Sequence, residues 1–122
     1  MENNMKRTIF VTFMKEGIHC YPDAPTGVEF LRSPHRHMFH FRVTTEVFHN
    51  DRDIEFILFK RELEGLYKEA ILEIDYMSCE MLAEDLINYI SSKYAGRAIS
   101  VEVSEDSENG ATLTYTPTTV IH

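Results

Sequence analysis

Two long stretches in which apolar residues recur at every second position, joined by a loop holding three of the four prolines, dictate most of what this chain can fold into. In the first, residues 8–21, Ile9, Val11 and Phe13 alternate with Phe10, Thr12 and Met14, so the strand is apolar on both faces. In the second, residues 36–49, Phe39, Phe41, Val43 and Val47 fall on one face. Residues 22–34 between them carry Pro22, Pro25, Gly27 and Pro34 and read as a long loop.

The period then changes. Asn50 to Asp53 supplies turn and cap residues, and Phe56, Phe59, Leu63, Leu66, Tyr67, Ala70 and Ile71 recur at three- and four-residue steps, which predicts an amphipathic helix. Ser78 is suited to cap a second helix, with Glu80 in its first turn, Leu82, Leu86, Ile90 and Tyr94 as its stripe and Gly96 as its stop. Ile99, Val101 and Val103 alternate with polar residues, as do Ala111, Leu113 and Tyr115, and Asn109-Gly110 between them predicts a hairpin turn. The order is strand, strand, helix, helix, strand, strand. That order predicts an α+β fold: a four-stranded antiparallel sheet with two helices on one face, in a single domain over residues 1–122. The uncovered sheet face is still partly apolar, and a second copy of the sheet is its natural partner. A chain of 122 residues buries only about two thirds of its unfolded surface, so self-association adds useful burial.

Twelve Lys and Arg against twenty Asp and Glu give a formal charge of −8, which argues against a nucleic-acid polymer or an anionic membrane as partner. A local basic cluster, Arg32, His35, Arg36 and Arg42, suits at most a small anionic ligand. There is no run of about 18 apolar residues to cross a membrane. The polar N-terminus does not read as a signal peptide. Cys20 and Cys79 do not make a disulfide framework, so a cytoplasmic setting is expected.

Of six histidines, three form a constellation. Side chains two apart on a strand share a face, so His35 and His37 present two imidazoles together. His19 lies near the end of the preceding strand, and hairpin pairing brings it to the other two. Three neutral imidazoles with one open position make a catalytic-type Zn²⁺ site, able to polarise a carbonyl or hydroxyl. His40 points to the opposite strand face and His49 lies beyond the strand, so both are expected to be ordinary polar groups.

The ordered motifs resemble the tunnelling-fold (T-fold) family of 6-pyruvoyl-tetrahydropterin synthase and 6-carboxy-tetrahydropterin synthase. His35-Arg36-His37-Met38-Phe39 resembles the family's H-G-H-N-Y, with His19 standing where the first zinc histidine belongs. Glu55 to Lys60 is similar to D-F-x-x-L-K, Ser78 to Ala83 to T-x-E-N-L-A, and Val101 to Glu105 to V-x-V-x-E. The resemblance implies trimers that close a barrel and stack into hexamers, with a pterin- or purine-like ligand in an inter-subunit pocket. It implies Zn²⁺ on His19, His35 and His37. It assigns Glu105 to the ligand's N–C–NH₂ edge, where a carboxylate accepts two parallel hydrogen bonds.

The departures from the family are chemical. Its cysteine, four residues before the paired histidines, is Leu31 here, which exchanges no proton. Its L-D-H relay segment is reduced to Ile74-Asp75-Tyr76, leaving Asp75 as the candidate acid. Arg36 replaces the glycine between the histidines and is a candidate ligand-binding cation. Cys20 is expected to be a small apolar filler. Cys79, in a helix's first turn, is either a packing residue or a thiol with a lowered pKa. Three readings follow: a zinc-dependent synthase or lyase with a different proton relay, a non-catalytic protein that sequesters a pterin or nucleotide-derived ligand, or a ligand-free interaction protein. The last leaves the histidines and Glu105 unexplained. Binding with altered or lost catalysis is the preferred expectation.

Overall fold

In the computed structural model, which describes residues 4–118, strands β1 (Arg7–His19) and β2 (His35–Val47) pair antiparallel along their whole length, from Arg7 opposite Val47 to His19 opposite His35. The two-residue period of a strand therefore decides the rest. Val11 and Phe13 share a face with Gly17 and His19, and Val43, Phe41 and Phe39 share it with His37 and His35. The apolar members of this face are buried, and the Phe13 and Phe41 rings stack with centroids 4.7 Å apart.

Strand β4 (Ile99–Glu105) pairs with β2, and β5 (Asn109–Tyr115) pairs with β4, both antiparallel. Helices α1 (Phe56–Glu64) and α2 (Cys79–Lys93) cover the buried face, α1 against β1 and α2 against β4 and β5. Glu55 caps α1, its carboxylate accepting from the backbone N–H groups of Ile57 and Leu58, both at 3.1 Å. Ser78 caps α2 through the Met81 N–H, as its position in the sequence predicts. Phe59 and Leu63 of α1 and Leu82, Ala83, Leu86, Ile87 and Ile90 of α2 fill the core. Glu62 ties the helices together by accepting hydrogen bonds from the hydroxyls of Tyr89 and Tyr94.

Three expectations need correction. The sheet has five strands, not four: β3 (Leu72–Glu73) adds to the free edge of β1, parallel to it, giving the order β3-β1-β2-β4-β5. The first helix ends at Glu64, with Gly65 capping it, rather than continuing to Ile71. Glycine is a poor helix residue, and the chain beyond it is drawn to the β1 edge, where Leu72 and Ile74 become buried. The last hairpin turns at residues 106–108, not at Asn109-Gly110, which already pair with Glu105 and Ser104 in β5. Gly110 answers a different need. A Cβ there would lie 2.3 Å from the Val103 carbonyl oxygen and 2.6 Å from Ser104 Cα, so the glycine permits a close approach of strands.

The face away from the helices carries Phe10, Met14 and Met38, all exposed, among charged residues; the Arg42 guanidinium lies 3.9 Å from the Phe10 ring centre. In the long loop, a short 3₁₀ turn (Glu29–Arg32) is held by Arg32, which donates two hydrogen bonds to the Ala24 carbonyl.

Candidate metal centre

The pairing of His19 with His35 at the end of the β1–β2 ladder, and of His37 with Gly17 one step in, places three imidazoles on the helix-facing side of the sheet. Their ring centres are 4.6 Å (His19–His35), 5.4 Å (His19–His37) and 4.9 Å (His35–His37) apart. The fully buried Phe39 ring stands beneath them, edge-on to His19 at 5.2 Å and to His37 at 6.0 Å. Gly17 makes room for that ring: a Cβ there would meet its Cδ2 and Cε2 at 3.0 Å.

Each ring is oriented by a different element. His19 Nδ1 lies 3.0 Å from the Met77 carbonyl, His35 Nδ1 2.9 Å from the Ser33 carbonyl, and His37 Nδ1 2.7 Å from Asp106 Oδ2. A carbonyl or an ionised carboxylate only accepts, so each Nδ1 bears a proton, which in the neutral ring leaves the lone pair on Nε2. Asp106 is ionised: the Met38 backbone N–H and then the His37 hydrogen bond hold its carboxyl below the usual range. The three Nε2 atoms are buried without a hydrogen-bond partner, and the three rings bring ligand atoms within 4.8 Å of one another. Three convergent Nε2 atoms, each on a ring backed by an acceptor on its far side, can serve as the donor set and outer support of a transition-metal site. The cluster can hold a metal. It is the one group of three such residues found among the described residues.

Glu105, the last residue of β4, closes the cluster. Its Oε2 lies 2.8 Å from His19 Nε2 and its Oε1 3.8 Å from His37 Nε2. The shorter contact is of hydrogen-bond length, and whether it is one depends on a proton at His19 Nε2.

A cavity of about 530 Å³ opens beside these groups, walled by Leu31, Tyr76, Met77, Cys79, His19 and Glu105 among others. Cys79 is buried, and burial, reinforced by the charges of Glu105 and Glu80, pushes its thiol up to about 11. The helix terminus does not lower it; the thiol stays protonated near neutral pH. Cys20 also borders the cavity.

Other residues singled out in the sequence stand elsewhere. Arg36 points to the opposite sheet face, where its Nη1 lies 3.0 Å from Glu16 Oε1. Asp75 is exposed and contributes its backbone: its φ of 50° turns the chain, its carbonyl accepts from the Cys20 N–H, and the turn delivers the Met77 carbonyl to His19. His49 lies by Asp53, at 3.7 Å, away from the cluster. Asp106 carries no motif of its own in the sequence, because Asn109-Gly110 draws the predicted turn three residues beyond it. Its left-handed φ of 56°, which Asp tolerates better than most residues, carries it under His37.

No protein-family model matches the chain, and no curated protein matches it in sequence. Solved structures do match its fold. An uncharacterized protein from Wolinella succinogenes superposes with a TM-score of 0.67 at 14% identity, over 90% of this chain and 98% of that one. The 6-pyruvoyl tetrahydropterin synthase of Plasmodium falciparum superposes with a TM-score of 0.64 at 14% identity, over 93% and 99%. The class is thereby set: an α+β protein of the tunnelling fold, with a histidine cluster able to hold a metal. Within that class its structural likeness is to the 6-pyruvoyl tetrahydropterin synthase type. No helix among the described residues is long and apolar enough to cross a membrane.

Proposed function

We propose that this chain is a divergent protein of the 6-pyruvoyl/6-carboxy-tetrahydropterin synthase type, which binds Zn²⁺ through His19, His35 and His37 and holds a pterin- or purine-like molecule beside it. The observation that carries the reading is the trio of buried Nε2 atoms with no hydrogen-bond partner, two of whose residues, His19 and His35, line a cavity that also presents Glu105. Zinc fits this donor set because it favours neutral imidazole nitrogens held by outer acceptors. When bound, the metal polarises a hydroxyl or carbonyl of the ligand.

The protein's own groups then do the recognition. Glu105 accepts hydrogen bonds from an N–C–NH₂ edge, and the cavity wall of Leu31, Tyr76 and Met77 flanks a flat ring. Proton transfer is the part that has changed. Leu31 carries no exchangeable proton, the Asp75 carboxyl is exposed on its turn, and the Cys79 thiol is held too high to act as a base near neutral pH. Catalysis is thus altered or lost, and Asp75 serves a reaction only if a partner subunit or a turn movement brings its carboxyl in.

The exposed Phe10, Met14 and Met38 support assembly through the uncovered sheet face, as a trimer or hexamer with the ligand pocket at a subunit boundary. Arg36 meets a ligand only across such a boundary, since it projects from that same face. The free thiols of Cys20 and Cys79 fit a cytoplasmic protein.

The alternative is an active zinc-dependent synthase or lyase that uses a different proton relay. Protein purified without added metal, analysed for zinc and then denatured for mass spectrometry of released small molecules, separates the readings. A retained pterin or purine unchanged on prolonged incubation supports binding. Its conversion supports the lyase, and the absence of any retained or added pterin or purine binding contradicts both.

A further inference from the structure

We propose that the cavity beside the histidine cluster takes an unphosphorylated ligand, a flat amino-bearing heterocycle that is neutral or protonated, and rejects its phosphate esters. The proposal rests on the pocket reading above and deepens it by naming the charge class of the ligand. Two carboxylates line the cavity, Glu105 at the end of β4 and Glu80 in the first turn of α2, and no Lys or Arg lines it among the described residues. Ionised carboxylates only accept hydrogen bonds. They match a ligand edge made of N–H and NH₂ groups and oppose phosphate oxygens.

Folding takes apart the local basic cluster that the sequence offers to an anion. Strand alternation sends His35 to the helix-facing side with the other imidazoles, and Arg36 and Arg42 to the opposite face. There Arg36 Nη1 lies 3.0 Å from Glu16 Oε1, and the Arg42 guanidinium lies over the Phe10 ring. Arg32 commits two donors to the Ala24 carbonyl, which holds the loop. An Arg36 that reaches a pocket across a subunit boundary brings Glu16 with it, and that pair offers a phosphate no net charge.

The positive end of α2 also opens on the cavity, and two groups of this chain already answer it. Ser78 Oγ accepts the Met81 N–H at 3.2 Å, and Glu80 sets a negative charge in the first turn. The charge of the two acids is felt inside: burial first, then Glu105 and Glu80, raise the neighbouring Cys79 thiol. Zn²⁺ on the three imidazoles offsets the two carboxylates and leaves the cavity near neutral rather than positive. A phosphate dianion entering there loses water beside Glu80 and Glu105, with no Lys or Arg of the described wall to compensate.

Calorimetric titration of the purified protein, with one equivalent of Zn²⁺ present, decides this with two matched pairs: neopterin and its monophosphate, and guanosine and its monophosphate. All four share the N–C–NH₂ edge, and the pairs separate a pterin from a purine. At low ionic strength the phosphorylated member of whichever pair binds is expected to be at least about tenfold weaker than its parent. The gap is expected to shrink as salt screens the acids, and to shrink in Glu80→Gln. A monophosphate that binds as tightly as its parent, or more tightly, overturns the proposal and leaves the pocket reading standing. A gap untouched by both salt and Glu80→Gln also overturns it, because the exclusion is then steric. No binding by any of the four contradicts the pocket reading, and this proposal with it.

Discussion

His37 and Asp106 are joined by a 2.7 Å hydrogen bond from the imidazole Nδ1–H to the carboxylate Oδ2, and that bond aims His37 Nε2 at the other two histidines. The same carboxylate accepts the Met38 N–H through Oδ1 at 2.9 Å, so both of its oxygens are engaged by β2. Removing it frees the ring. Asp106→Ala is expected to weaken zinc binding by about 10–100-fold, with Asp106→Asn intermediate because an amide offers only one oxygen to the two donors. Chelator competition on the purified variants checks this, and wild-type affinity in Asp106→Ala contradicts it.

Gly110 is the position least able to accept a side chain. A Cβ there would press on backbone atoms of Val103 and Ser104, which have no rotamer to yield. Gly110→Ala is expected to destabilise the fold by roughly 1–3 kcal/mol, the usual cost of overpacking. Chemical denaturation measures it, and an unchanged midpoint would show that the β4–β5 pair spreads freely.

Asp53 gives the fold a defined pH response. The Arg97 guanidinium, 2.8 Å away, and then the Phe48 N–H hold its carboxyl below the ordinary value. A carboxyl lowered in the folded state stabilises above its unfolded pKa and loses that contribution as pH falls through its folded one. The melting-temperature gap between wild type and Asp53→Asn is therefore expected to be widest at neutral pH and to close in strong acid. A gap that is constant with pH contradicts the assignment.

Cys79 is expected to alkylate slowly near neutral pH. Its thiol is pushed up to about 11, so little thiolate exists, and the reaction with iodoacetamide accelerates as pH rises toward that value. Rapid, pH-independent labelling at neutral pH would mark it as an activated thiol instead.

The β1–β2 pairing, the Ser78 cap and the histidine trio were legible because each rests on a short-range rule. Strand alternation alone puts His35 and His37 on one face with Phe39 and Phe41, and hairpin register brings His19 opposite His35. What escaped depends on tertiary competition. Ala70 and Ile71 continue a helical stripe in sequence, yet the chain beyond Gly65 follows the β1 edge because Leu72 and Ile74 bury there. Asn109-Gly110 has the composition of a hairpin turn, yet the turn falls at residues 106–108, where Asp106 and Ser107 adopt left-handed φ of 56° and 60°. With the turn misplaced, Asp106 could not be seen as the support of His37. The Met77 and Ser33 carbonyls that orient His19 and His35 are backbone groups, which no side-chain motif announces.

Stoichiometric zinc binding by the histidine cluster is the centre of the account, and calorimetric titration of metal-free protein with Zn²⁺ tests it most directly. Wild type is expected to take up one ion per chain with its affinity set by the three oriented imidazoles, and His35→Ala/His37→Ala is expected to take up none at that site. No binding by wild type, or equal binding by the double variant, would contradict it.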